Sequence, residues 1–199
     1  MRKFSGDTLV LATHNKGKIE ELRHELSGRV KTLLTADDLP LPEPDETGTT
    51  FEENAAIKAL AGARATHRIV LADDSGLCVD ALNGAPGVYS ADWMGHPRSR
   101  KTSMARVLQE LDRTGNPDRT ARFVTVMALA WPDGHVECAR GEVEGTILHA
   151  PQGTGGFGMD PIFRPLGHAK TFAEMTTAQK SALSHRSRAL QNLVRLYFS

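Results

Sequence analysis

A chain of 199 residues, 40% of them hydrophobic, can bury one sizeable core and is short for two full domains. Twenty-four basic residues balance twenty-four acidic ones, so no overall field draws the molecule onto a nucleic acid polymer or an anionic membrane, and an anionic ligand needs a local site. The longest apolar run, around residues 123–131, is well short of the roughly 18 to 20 residues that cross a bilayer. Gly6 and Asp7 interrupt any signal-peptide core behind Arg2 and Lys3, and two cysteines, Cys78 and Cys138, fit free thiols, so a cytoplasmic location is the expectation.

Residues 8–12 read as a short buried strand and residues 16–27 as a helix, with Ile19, Leu22 and Leu26 at helical spacing and Gly28 as its stop. A second strand over 30–34 leads into a polar, proline-rich loop, 35–49, which carries Glu43, Asp45 and Glu46 and is too long for a mere connection. Residues 51–66 are alanine-rich and helical. Residues 69–72 form a short strand whose carboxyl end is the acidic pair Asp73 and Asp74, and 77–79 a further short strand before the turn-rich stretch 83–87. Met104, Val107, Leu108 and Leu111 mark an amphipathic helix. Residues 121–131 are apolar on both alternating faces, the expected centre of a sheet, and Pro132-Asp133-Gly134 turns 135–143 back against them as a hairpin. Residues 153–158 are a glycine-rich loop, and a last helix begins at Ser184, its N-cap, and carries Leu190, Val194 and Tyr197. Alternating strands and helices around a central hairpin predict one α/β domain over 1–199 with a mixed sheet. Ligands of such folds gather beyond the strand ends.

Five segments have the composition of a site, and each has a plain reading beside the functional one. Thr13-His14-Asn15-Lys16-Gly17-Lys18 joins the first strand to the first helix, where backbone N–H groups and the positive helix end attract anions; it lacks the ending of a Walker loop and is otherwise a polar connection. Asp73-Asp74-Ser75-Gly76 offers a carboxylate for Mg²⁺ or for orienting a water, with neighbouring side chains on opposite faces; the alternative is a turn. Glu43, Asp45 or Glu46 could complete a metal site with Asp74, and spacing does not select among them. In the 153–158 loop, glycines let backbone approach a ligand and Phe157 could lie against a nucleobase, or else plug into the core. Lys180, His185 and Arg186 gather around the start of the last helix, a position unfavourable to cations unless an anionic or carbonyl-bearing ligand is met there.

In this order, and together with Thr50-Phe51-Glu52-Glu53-Asn54-Ala55 and Gly84-Ala85-Pro86-Gly87-Val88-Tyr89-Ser90, these segments resemble the Ham1/RdgB family of non-canonical purine triphosphate pyrophosphatases. The resemblance runs nearly end to end. It implies an elongated mixed β-sheet flanked by helices with a central substrate cleft, a homodimer, Mg²⁺ dependence, and hydrolysis of dITP, ITP, XTP and dXTP to monophosphate and pyrophosphate. It also implies roles: Thr13, Asn15 and Lys18 for phosphate, with His14, Lys16 and Gly17 of the same turn as substrate contacts; Asp74 as general base and metal ligand with Glu46, Glu43 being its rival; Ser75 as a substrate contact. Phe157 and Asp160 would hold the base, with Gly158 and Met159 between them as substrate contacts, and Lys180, His185 and Arg186 would reach base or phosphates. His14 stands where the family turn often has glycine. A pyrophosphatase acting on pyrimidine or modified nucleotides and a non-catalytic nucleotide- or RNA-binding module are the rival readings, separated by a substrate panel read as pyrophosphate release with and without Mg²⁺.

Overall fold

The computed structural model describes residues 1–13 and 16–198, giving only the course of the backbone at residues 16, 17, 21 and 24. Its sheet has six strands, β1 (Thr8–Leu11), β2 (Thr32–Leu34), β3 (Val70–Val79), β4 (Thr120–Ala130), β5 (Val136–Ile147) and β6 (Phe163–Pro165), in the order β2-β1-β3-β4-β5-β6. Strand β1 pairs in parallel with both β2 and β3, Val10 facing Leu34 on one side and Val70 on the other. Strand β6 runs antiparallel to β5, with Thr146 opposite Arg164. The sheet is therefore mixed, as expected, and its helices are α1 (Lys16–Glu25), α2 (Phe51–Thr66), α3 (Arg100–Thr114), α4 (Thr177–Leu183) and α5 (His185–Tyr197).

Local chemistry explains where these elements start and stop. Helix α2 opens on a reciprocal capping box, the Thr50 hydroxyl accepting from the Glu53 N–H while the Glu53 carboxylate accepts from the Thr50 N–H, and closes on His67 in the left-handed region. Its buried stripe is Phe51, Asn54, Ala55, Ala59, Gly62 and Ala63, small enough for close packing. Gly48 secures the preceding loop: its N–H donates to Asn54 Oδ1 at 2.8 Å, and a Cβ there would stand 2.6 Å from that same oxygen, so only glycine fits. Ser184 caps α5 as expected, accepting from the Ser187 N–H.

The expected strands 69–72 and 77–79 are instead one ten-residue strand, so Asp73 and Asp74 lie in its middle and not at its carboxyl end. Asp-Asp-Ser-Gly is turn-forming on local chemistry alone. Lysine partners from two helices offset the burial of the carboxylates and allow the extended backbone to continue. Strand β6 and helix α4 were not anticipated: three residues carry little periodicity, and α4 is seven residues long behind its own Thr176–Gln179 capping box.

Contacts divide the chain into two compact units. The first comprises Met1–Asp74, Thr125–Gly141 and Arg188–Ser199, and its apolar cluster includes Leu9, Leu11, Leu71, Met127, Leu129 and Leu193. The second comprises Ser75–Val124 and Glu142–Ser187. Its cluster includes Leu77, Val107, Phe123, Ile147, Phe163 and Phe172, with the Phe123 and Phe163 rings edge to face at 4.6 Å. Both cysteines are free thiols, and among the described residues no helix is long and apolar enough to cross a membrane.

Candidate active site

In the first unit, β3 carries consecutive carboxylates, and the pleat turns them to opposite faces. Each meets a lysine from a different helix. Asp73 Oδ2 accepts from Lys18 Nζ of α1 at 2.7 Å, and Asp74 Oδ1 accepts from Lys58 Nζ of α2 at 3.2 Å. The same Lys58 amine donates to Glu46 Oε1 at 3.0 Å, so the long acidic loop delivers Glu46 to the lysine that Asp74 uses. Asp73 and Asp74 are each 7% exposed, which in an unpaired carboxylate would be prohibitive.

The charges in this cluster are unequally compensated. Burial pushes the Asp74 carboxyl above its ordinary value; Lys58 pulls it back, and the Glu46 carboxylate adds to the push, leaving it raised. Burial pulls the Lys58 amine down, but Asp74, Glu46 and Asp73 together push it further up. One ammonium serves several carboxylates, so the lysine stays firmly charged while Asp74 holds its proton more readily than a free aspartate. Among the described residues, Asp74 Oδ2 is buried without a hydrogen-bond partner.

That orphan oxygen fits a hard cation. Among the described residues no three His, Cys, Asp or Glu side chains form a ready cage. Mg²⁺, however, usually takes one or two carboxylates and completes its shell with waters and substrate phosphates. Asp74 Oδ2 and the Glu46 carboxylate, joined through Lys58, are donors of that kind.

Lys58, and Asn54, whose side chain also hydrogen-bonds to Asp74, are functional candidates that sequence reading missed. The signal was present in α2: Asn54 and Lys58, four residues apart, are polar on the stripe that Phe51, Ala55 and Ala59 define as buried. Of the expected phosphate turn, Thr13 lies half-buried ahead of α1 and Lys18 is paired as above. His14 and Asn15 lie outside the described residues, and of Lys16 and Gly17 only the backbone, opening α1, is described. Helix α1 has no acid in its first turn to compete with an anion at its N-terminal end.

The second unit begins at Ser75, which continues β3 beyond Asp74. Its glycine-rich loop presents Phe157 at 49% exposure, so the ring is not a core plug. Beside it the Lys180 ammonium lies 4.1 Å from the ring centroid and the Arg186 guanidinium 5.4 Å. Asp160, 1% exposed, ties the loop together: its Oδ2 accepts from the Phe157 N–H at 2.7 Å and from Lys180 Nζ at 2.5 Å. Gly156, at φ +65°, is required there because a Cβ would collide with that oxygen. Gly158 has φ +55°, and Met159 packs its side chain into the second apolar cluster.

The three expected cations do not all belong to the last helix. Lys180 stands in the last turn of α4, where the helix dipole favours positive charge, while His185 and Arg186 open α5. His185 is 2% exposed and its ring stacks on Phe123 at 4.9 Å, and Arg186 is 4% exposed. Both are built into the protein, with their donors held in place instead of waving in solvent.

Fold and side chains together define a mixed α/β protein with a buried, lysine-paired carboxylate cluster in its first unit and a half-exposed phenylalanine beside two cations in its second. The chain belongs to the Ham1 family, whose model matches residues 9–196. It is 52% identical over 202 residues to the dITP/XTP pyrophosphatase of Rhodospirillum centenum, covering 100% of this chain and 98% of that one. It is 51% identical to the dITP/XTP pyrophosphatase of Agrobacterium fabrum, covering 98% and 97%. Among solved structures, a HAM1 protein from Coxiella burnetii superposes with a TM-score of 0.90 at 38% identity, covering 95% of this chain and 97% of that one. The Staphylococcus aureus Ham1 protein does so with a TM-score of 0.85 at 38% identity, covering 94% and 95%. The family resemblance read from the ordered motifs is thereby borne out.

Proposed function

We propose that this chain hydrolyses non-canonical purine nucleoside triphosphates, dITP, ITP, XTP and dXTP, to the monophosphate and pyrophosphate, and so cleanses the nucleotide pool. The observation that carries the proposal is Asp74: a buried carboxylate with one oxygen unbonded among the described residues, beside a lysine that stays charged. Two relatives at 51–52% identity that bear the name dITP/XTP pyrophosphatase support it.

Asp74 orients a water and its carboxylate takes the water's proton as the water oxygen bonds to phosphorus and the anhydride link between the α and β phosphates breaks. Lys58 keeps its own proton, holding Asp74 in place through Oδ1 and offering positive charge to the phosphates. Lys18 and the N-terminal end of α1 stabilise the departing pyrophosphate. Mg²⁺, held by Asp74 and Glu46, would neutralise charge on the phosphate oxygens. No covalent intermediate is required.

Phe157 offers a half-exposed ring to a purine, and Lys180, His185 and Arg186 supply donors to a carbonyl at the six-position. Adenine carries an amino group there and would leave such donors unpaired, a mismatch of about 1 to 3 kcal/mol per buried group. A homodimer and a cytoplasmic location belong to the same proposal, the first checked by sedimentation.

Pyrophosphate release from ITP, XTP, GTP, ATP and TTP, with and without Mg²⁺, tests the whole. Release from ITP and XTP far above the others, and only with the metal, is expected. Equal turnover of all five, a preference for TTP, or binding with no release overturns the reading.

A further inference from the structure

We infer that Arg100, which lies outside every motif named above, is a positioning residue for base binding: it pins the glycine-rich loop that presents Phe157. The inference rests on the proposal that Phe157 receives the base. The loop is intrinsically loose, since Gly153, Gly155, Gly156 and Gly158 fall within six residues and three of them take positive φ angles of 82°, 65° and 55°. Glycines lose more conformational freedom on ordering than other residues, so a fixed Phe157 needs external ties. Two are made by N–H groups: Gly155 to the Ala173 carbonyl at 3.1 Å, and Phe157 to Asp160.

Arg100 supplies the tie to the carbonyls. Its Nη2 donates to the Thr154 oxygen at 3.3 Å and its Nη1 to the Gly156 oxygen at 3.5 Å, so the planar fork straddles Gly155. A lysine has no such fork. The residue stands first in α3, after the Ser99 cap, in a first turn without an acid. Positive charge at that place opposes the helix dipole, and the two loop carbonyls are what it meets in return. Both bonds are long and exposed, which sets the expected effect at several-fold and not a hundred-fold. Arg100 acts through the loop, so its loss should weaken binding and leave the Asp74 chemistry intact.

Hydrogen exchange over residues 153–160 and steady-state kinetics with ITP, on wild type, Arg100→Ala, Arg100→Lys and Arg98→Ala, test this. In Arg100→Ala the loop amides should exchange about three- to tenfold faster, with KM raised by a similar factor and kcat within about twofold. Arg100→Lys should recover part of both. Arg98→Ala, which removes a neighbouring exposed charge, should match wild type. Unchanged loop exchange in Arg100→Ala, a KM rise without faster exchange, or a fall in kcat alone overturns the inference. Should wild type release no pyrophosphate from ITP, the functional proposal falls instead, and loop exchange still decides whether Arg100 is the pin.

Discussion

Replacing Asp74 with asparagine should abolish most activity while leaving the protein about as stable as before. The change swaps one oxygen for an amide nitrogen at constant shape, and the remaining oxygen can still accept from Lys58, which also keeps Glu46. Native Asp74 is raised in the fold because burial outweighs its lysine. A carboxyl raised in this way contributes stability that is fully present below its unfolded pKa and is lost as pH rises through the folded value, so at neutral pH the ionised group is a net cost. Asparagine removes that cost and leaves a buried amide donor where Oδ2 lacks a partner among the described residues, worth about 1 to 3 kcal/mol the other way. The two effects oppose each other, so the net change in Tm should stay within a few degrees for a chain of this size. Turnover should fall by about 10² or more, the usual worth of a placed acid or base. The acid limb of the wild-type kcat, set by protonation of Asp74, should lie above the ordinary aspartate range, and the residual rate of the variant should lack that limb. Steady-state kinetics across pH and a thermal melt read all three. A kcat within about threefold of wild type removes Asp74 from the chemistry, and a Tm lowered by more than about 5 °C means the carboxylate is a structural support instead.

Phe157→Ala should raise KM for ITP by about tenfold, within the 1 to 3 kcal/mol that base stacking is worth, with Tm unchanged because the ring is half exposed; a drop in Tm with constant KM contradicts this. Gly156→Ala should both raise KM and lower Tm by a few degrees, since the residue needs φ +65° and the new methyl displaces the Asp160 oxygen that holds Phe157 and Lys180. Thr50→Ala removes the capping box of the helix that carries Lys58 and should cost about 0.5 to 2 kcal/mol, read as a lower denaturant midpoint at constant m.

What could be read from the chain alone was whatever is local or strongly periodic. Helix 51–66, the hairpin around Pro132-Asp133-Gly134, the Ser184 cap and the mixed α/β class follow from cap residues, turn chemistry and alternating burial, all of which act over a few residues. Ordered motifs likewise put forward Asp74, Glu46, Phe157, Lys180 and Arg186 as candidates. Only the tertiary structure decided that β3 runs unbroken through Asp73 and Asp74, that Glu46 and Asp74 share Lys58, and that Lys180 rides on a helix of its own. These outcomes depend on partners distant in sequence: Lys18 lies 55 positions from Asp73, and Lys58 lies 16 from Asp74. A turn-forming acidic tetrapeptide becomes a buried strand when such lysines compensate its charge, and no spacing rule along the chain contains that electrostatic balance.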